Sequence, residues 1–435
     1  MQASPARNGL LNLVRILWLK TELLHPVDKG GKIRTYNMLK ELKREHHVTY
    51  LTLDDGTANA DARARATEYC HELICVPHRA HEKFTLAFYF ELLLNLLSSR
   101  PYAIKKYEST AMSDKILELE SRNEFDLLVC DFLAPTANVP RTLTMSTILF
   151  QHNVEAMIWK RHYEVQNNPL KKAYLYGQWR KMWQFEKEMC HRFDCVIAVS
   201  ADDRDHMKRE YGAEAVFDVP TGVDTEFFSP SGAVVPKPHS LVFTGSMDWL
   251  PNEDAIRYFM REIMPLIKEK VLDATLTVVG RNPPAAFVEL SRAEPSLIIT
   301  GRVDDVRPYI ESAAAYVVPL RIGGGTRLKI FEAMAMEKPV ISTTVGAEGL
   351  ALSNGVELLV ADEAKSFAEA VVKVLTDSSY AFDLGQRAVS TVRHHHGWHQ
   401  VTENFISICM RASQLRIRPQ SLSAVVEPRG LKTVE

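Results

Sequence analysis

Three short stretches of the chain carry side chains suited to binding an anion or a sugar, and each follows a run of apolar, β-branched residues. The most distinctive is VPLRIGGGTRLKIFEAMA, Val318 to Ala335. Gly323, Gly324, Gly325 and Thr326 lead into a helical pattern whose first turn carries Arg327 and Lys329. Glycines let backbone approach a ligand closely, a helix N-terminus offers unpaired N–H groups, and two cations suit a pyrophosphate. Lys329 and Glu332 share one helix face, and the Glu332 carboxylate can accept both hydroxyls of a ribose. A surface Lys–Glu pair is the plainer account, but it leaves the three glycines unexplained. The second stretch, Lys29, Gly30, Gly31, Lys32 and Arg34, also fits a diphosphate, although its spacing is not GxGxxG and a plain glycine turn accounts for it equally. The third is His152 with Asn153, where an imidazole at a strand end can hydrogen-bond a sugar hydroxyl or a developing charge. A satisfied terminal histidine is the bland alternative.

These residues need elements to position them, and the apolar pattern supplies a regular series. Strand-like runs at Val14–Lys20, Val48–Leu53, Leu73–Pro77, Asp126–Cys130, Thr147–Gln151 and Cys195–Ser200 alternate with helical periodicity. The series stops at Ser229–Ser240, rich in proline and serine. It restarts with Leu241–Gly245, Thr275–Gly280, Leu297–Gly301, Tyr316–Leu320, Pro339–Thr343 and Glu357–Ala361. This alternation predicts an α/β chain of two tandem, doubly wound, Rossmann-like parallel-sheet domains facing across a cleft, with ligands at the carboxyl ends of the strands.

Composition narrows the class. A chain of 435 residues exceeds one core, 46% hydrophobic and 24% charged residues are ordinary for a globular protein, and a net charge of -2 gives no global pull on nucleic acid. The six cysteines form no CxxC pair, no stretch reaches the length of a membrane span, and Leu10–Leu19 is broken by Asn12 and Arg15. A reduced, cytoplasmic protein is predicted. His394, His395 and His396 read as a helix end rather than a metal tract, and Asp202, Asp203 and Asp205 as a charged helix start after Ser200. Phe84–Leu97 reads as a helix over the core or a membrane-surface segment beside Arg100, Lys105 and Lys106, and Lys171–Lys187 admits the same two readings.

In order and spacing, the Gly30–Gly31 loop, QHNVE (Gln151–Glu155), PTGVDTEFF (Pro220–Phe228), FTGSMDW (Phe243–Trp249), GRVDDVRPYI (Gly301–Ile310) and GGGTRLKIFEAMA resemble the GT-B glycosyltransferases of family 4. The resemblance runs from about Arg15 to Ala412 and is nearest to the bacterial exopolysaccharide type, including exosortase-associated members. It implies an acceptor-side domain over 10–228, a linker over 229–240 and a donor domain over 241–392. A C-terminal helix over 393–418 would cross back to the first domain, ahead of a disordered tail over 419–435.

The implied activity is retaining transfer of a sugar from a nucleotide-diphosphate sugar to a glycan, lipid-linked or small-molecule acceptor, with neither metal nor cofactor. Gly30, Gly31 and the Gly323–Thr326 loop would approach the donor phosphates. His152 would contact the donor sugar, Arg327 and Lys329 hold the diphosphate, Glu332 bind the ribose, and Arg302 and Val303 flank the base. The site would work at the cytoplasmic face of a membrane or free of it, with no nucleic-acid partner. Two positions depart from the family pattern. The first glutamate of its E-x7-E pair is Gly324, and its usual Arg and Lys after the first donor-domain strand are absent near Ser246 and Asn252. A nucleotide-sugar-binding protein without transfer activity, or a GT-B epimerase, are therefore the alternatives.

Overall fold

The computed structural model describes residues 13–27, 30–56, 60–78, 85–322 and 328–422, with the side chains of all but Val165 and 415–422. The apolar runs pair into two separate all-parallel sheets. The first has β1 (Arg15–Lys20), β2 (His47–Asp54), β3 (Glu72–Pro77), β4 (Leu127–Asp131), β5 (Ser146–Phe150), β6 (Cys195–Ala198) and β7 (Val216–Asp218), in the order β3-β2-β1-β4-β5-β6-β7. The second has β8 (Ser240–Thr244), β9 (Thr275–Val279), β10 (Leu297–Gly301), β11 (Ala315–Val318), β12 (Val340–Ser342) and β13 (Leu359–Val360), in the order β10-β9-β8-β11-β12-β13. In each sheet the first strand sits inside and the order reverses beside it, at β1/β4 and at β8/β11. Loops diverge at such a point and leave a crevice.

The chain divides into two compact units, one running up to Val219 and resuming at Thr402, the other Pro220–Val401. Leu17, Leu19, Leu128 and Leu149 are fully buried in the first sheet, and Phe243, Leu276, Val278 and Val317 in the second. The Ser229–Ser240 stretch is tied to the second unit, because Ser231 Oγ and Gly232 N donate to Glu311 and Lys237 N donates to Ser312 O.

The helices of the first unit include α1 (Gly30–Glu45), α2 (Leu86–Asn95), α3 (Glu155–Val165), α4 (Pro169–Arg192) and α5 (Ala201–His206). Ser200 caps α5 by accepting from Asp203 N, so the acidic run charges a helix start. The C-terminal half of α4 covers the core with Met182, Phe185 and Met189. Its neighbour α2 does not, since Asn95 is its single buried residue, while Leu86 is 90% exposed and Phe90 and Leu93 are each 61% exposed.

In the second unit α6 (Leu328–Ala335) follows β11, and α7 (Ser378–His395) ends in the histidine run. His394 Nδ1 pairs with Ser390 O and His396 stacks on Phe331, which accounts for both without a metal. The last helix, α8 (Trp398–Leu422), places Trp398 against Gly222, where a Cβ would come within 2.6 Å of the indole. Further along it, Phe405 packs on Trp18 and Phe150 in the first unit's core, at centroid distances of 5.7 and 5.2 Å.

Candidate active site

In the first unit, polar side chains converge at the carboxyl ends of β1, β4 and β5. Asp131, the last residue of β4, is fully buried, and its Oδ2 accepts from Lys20 Nζ at 2.8 Å, Thr35 Oγ1 at 2.6 Å and Trp18 Nε1 at 3.1 Å. Its Oδ1 lies 2.7 Å from His152 Nε2, though the pair is not aligned as a linear hydrogen bond. Burial opposes ionisation of Asp131, but Lys20 and His152 outweigh it and hold the carboxyl below the usual range. Burial likewise lowers the Lys20 ammonium against the pull of Asp131. It brings His152 down to about 4, so the imidazole is neutral at neutral pH. His152 can therefore donate and accept hydrogen bonds but brings no charge.

Phe132 locks this group together. Its ring stacks on His152 at 3.9 Å, carries the Lys20 ammonium 4.2 Å above it, and occupies the space beside Gly31, where a Cβ would approach to 2.6 Å. Its φ of 78° is rare for a bulky residue, a local cost that the surrounding contacts hold in place. Gly31 thus answers to Phe132, whereas a Cβ on Gly30 would meet nothing within 4 Å. The turn bearing His152 is fixed from below by Glu186 of α4. That carboxylate accepts from Gln151 Nε2, from the backbone N–H groups of Glu155 and Ala156 at the start of α3, and from Tyr211 Oη. Burial raises it to about 7 despite these donors.

In the second unit the loops after β8 and β9 meet the start of α6 at the switch point. Gly280 lies so close to the Gly245 carbonyl that a Cβ there would sit 1.8 Å from the oxygen. A Cβ on Gly245 would in turn stand 2.9 Å from Lys329 Nζ. Lys329 of α6 donates to Asn252 Oδ1 at 3.3 Å and lies 4.2 Å over the Phe243 ring, while Asn252 Nδ2 holds Ser246 O at 2.8 Å. Arg281, exposed after β9, donates from Nε to Ser246 Oγ at 2.9 Å. Two cations from elsewhere in the unit therefore reach the 245–252 turn, which has none of its own.

One turn along α6, Glu332 is half-buried on the same helix face as Lys329. Burial raises it to about 7, against the opposing charge of Lys329. At the end of β10, Arg302 is exposed and Val303 packs against the core. Gly323, Gly324, Gly325, Thr326, Arg327 and Lys29 lie outside the described residues. Among the described residues no group of three or more His, Cys, Asp or Glu side chains is placed to hold a metal ion, and no helix is long and apolar enough to cross a membrane.

Sequence reading singled out His152, Gly30, Gly31, Lys329 and Glu332 but passed over Lys20, Asp131, Glu186 and Arg281. A lysine and an aspartate closing otherwise apolar strand runs were the available signal for the first two. Glu186 gave none, because the backbone it caps is 30 and 31 residues away in sequence.

Known proteins with this architecture agree in kind. Residues 29–227 match the family model for Glycosyltransferase Family 4, and residues 238–377 that for Glycosyl transferases group 1. A 44.6 kDa protein in the cps region of Klebsiella pneumoniae is 19% identical over 394 residues, covering 88% of this chain and 96% of its own length. Among solved structures, the sucrose-phosphate synthase of Thermosynechococcus elongatus superposes with a TM-score of 0.59 at 16% identity, over 94% of this chain and all of its own. Anabaena HepE in complex with UDP gives 0.62 at 11% identity, over 92% of this chain and 100% of its own. A glycosyltransferase from Rickettsia africae gives 0.62 at 14% identity, over 92% and 99%. The chain belongs to the group 1 glycosyltransferases, family 4, with the GT-B fold of two Rossmann-like domains.

Proposed function

We propose that this glycosyltransferase moves a sugar from a nucleotide-diphosphate donor to a glycan or lipid-linked acceptor, with retention and without a metal ion, in bacterial polysaccharide or glycoconjugate synthesis. The observation that carries the reading is the α6 turn, where Lys329 is pressed against Gly245 and the half-buried Glu332 follows one turn further on. A cation at a helix start suits a diphosphate, and a carboxylate one turn on suits ribose hydroxyls. Lys329, with Arg327 and the Gly323–Thr326 backbone, would hold the diphosphate, and Arg281 supplies a further cation. Fixed cations and helix N–H groups can stabilise a leaving diphosphate without a metal. HepE structures with UDP and UDP-glucose support a nucleotide-sugar donor, and the relative from the cps region is in keeping with polysaccharide synthesis.

In this mechanism the acceptor oxygen bonds to the anomeric carbon on the face from which the diphosphate departs. The carbon–oxygen bond to phosphate breaks, and the acceptor proton passes to the departing phosphate oxygen. His152, neutral and stacked on Phe132, would hydrogen-bond the donor sugar. The exposed face of α2 supports a lipid-linked acceptor. Leu86, Phe90 and Leu93 of α2 and Leu97 just after it are exposed, Lys181 Nζ reaches Asn95 O at the end of the helix, and Lys105, Lys171 and Arg180 are exposed too, a combination suited to an anionic bilayer. Incubation with a panel of nucleotide sugars, with and without EDTA, tests the reading. Transfer or slow donor hydrolysis that survives EDTA is expected. Bare binding or an epimerised donor would favour the two alternatives, and strict dependence on a divalent ion would overturn the metal-free mechanism.

A further inference from the structure

His152 sits in a turn that does little to hold itself. Its Nε2 has no aligned hydrogen bond, although Asp131 Oδ1 is 2.7 Å away. The N–H groups of His152, Asn153 and Val154 make no backbone hydrogen bond among the described residues. The N-cap of α3 is Val154, whose side chain accepts nothing, so the first N–H groups of that helix lack a local cap. Both ends of the turn are fixed all the same, and by one group. Glu186, fully buried on α4, accepts at Oε1 from Gln151 Nε2 and from Glu155 N, each at 2.9 Å. At Oε2 it accepts from Ala156 N at 2.9 Å and from Tyr211 Oη at 2.7 Å. One oxygen thus ties the residue before the turn to the residue after it. A serine or asparagine at position 154 would cap α3 without burying a charge. The remote carboxylate caps the helix and closes the turn together, and neither His152 nor Asn153 is spent on capping.

We propose that Glu186 is a positioning residue for sugar transfer, clamping the 152–154 turn at both ends so that His152 meets the donor sugar in one orientation. The proposal rests on the reading of His152 given above. Glu186→Gln keeps the shape but brings an NH2 group to donors that need an acceptor, so part of the clamp opens. Misplacing an orienting group by about 1 Å can cost on the order of a hundredfold in rate. The loss belongs in kcat, since the proposed diphosphate contacts at Lys329 lie in the other unit.

Steady-state donor hydrolysis by the full chain, with UDP-glucose, UDP-N-acetylglucosamine and GDP-mannose as probes, reads that loss, and calorimetry with UDP, GDP and ADP reads nucleotide affinity. Glu186→Gln is expected to lower kcat about tenfold or more and to leave nucleotide affinity unchanged. Met189→Ala, one turn further along α4 in the core, is expected to melt lower yet keep the wild-type kcat. A kcat that falls in step with melting temperature across both variants overturns the proposal, because the carboxylate then acts through stability alone. If Glu186→Gln does not fold, Gln151→Leu decides. It frees only the leading end of the turn, and a lowered kcat at unchanged affinity supports the clamp, whereas a wild-type kcat overturns it. His152→Gln keeps the two readings apart. A slow His152→Gln beside a Glu186→Gln of wild-type kcat removes the clamp and leaves His152 at the donor sugar. A wild-type kcat in His152→Gln removes both, as does a wild type that hydrolyses none of the probes.

Discussion

Asp131 faces His152 with one oxygen, at 2.7 Å, and receives the Lys20 ammonium on the other, at 2.8 Å. One buried charge therefore neutralises a lysine and lies against an imidazole. Taking away one partner of a buried pair strands the other, at a cost of about 3–5 kcal/mol, while replacing both with apolar groups is often neutral. Asp131→Asn should lose stability of that order in chemical denaturation, and the double variant Lys20→Met, Asp131→Leu should recover most of it. His152→Gln should fold normally and transfer sugar more slowly. A fully stable Asp131→Asn would show that the lysine does not depend on the carboxylate.

Lys329 meets the Gly245 turn where the family's usual cations are missing. Lys329→Ala should weaken nucleoside diphosphate binding by about 1.5–3 kcal/mol, the worth of a charge-assisted contact. Asn252→Ala should act in the same direction but less, since its Oδ1 only steers the ammonium. Calorimetry showing both variants at wild-type affinity would remove Lys329 from the diphosphate site.

The alternation of apolar runs and helical periodicity was enough to read every strand but the three-residue edge strand β7 (Val216–Asp218), because a parallel strand buried on two faces is written as a continuous apolar segment. The site was legible where chemistry is concentrated in one stretch, as at Lys329 and Glu332, or at a strand end, as at His152. It was not legible where partners come from distant segments. Trp18, Lys20, Thr35 and Asp131 share one carboxylate oxygen across more than 90 residues of sequence. Composition left α2 open between a cover for the core and a membrane-surface segment, and the first of these readings fails. Its side chains instead face solvent, and a count of hydrophobic residues carries no information about which way a short helix is turned.

Glu332 gives a pH signature. Its carboxyl is raised to about 7 by burial, so below that pH it is protonated and can no longer accept from both ribose hydroxyls. Affinity for a nucleotide sugar, whose phosphates do not titrate in this range, should fall as pH drops through 7, and Glu332→Gln should bind weakly with little pH dependence. Stability moves the other way. A carboxyl raised in the folded state binds more protons folded than unfolded between about 4.3 and its folded value, so stability falls as pH rises through that window. Glu332→Gln should lessen that slope without abolishing it, because Glu186, also near 7, remains. A variant with the wild-type pH profile for binding would place the titrating group elsewhere.

The α2 surface can be tested apart from catalysis. Leu86 and Leu97 are each 90% exposed, and Phe90, Leu93 and Leu94 stand at half or more, on a helix pinned to α4 through Gln178 Nε2 to Asn95 Oδ1 at 2.9 Å and Lys181 Nζ to Asn95 O at 2.7 Å. A rigidly held apolar face of this kind costs the free protein solubility unless something covers it. Each leucine or phenylalanine moved from water into the acyl boundary is worth about 1.5–3 kcal/mol, and each nearby Lys or Arg about 1 kcal/mol on an anionic leaflet. The protein should therefore co-sediment with phosphatidylglycerol-containing vesicles, bind neutral phosphatidylcholine vesicles more weakly, and lose affinity as salt rises. Phe90→Ser with Leu93→Ser should cut vesicle binding at least tenfold while leaving the melting temperature and donor hydrolysis unchanged, since neither side chain supports the core. Lys105→Glu with Arg180→Glu should remove the preference for anionic lipid but leave a residual apolar attachment. Equal sedimentation of the serine variant and the wild type would mean that α2 does not meet the bilayer.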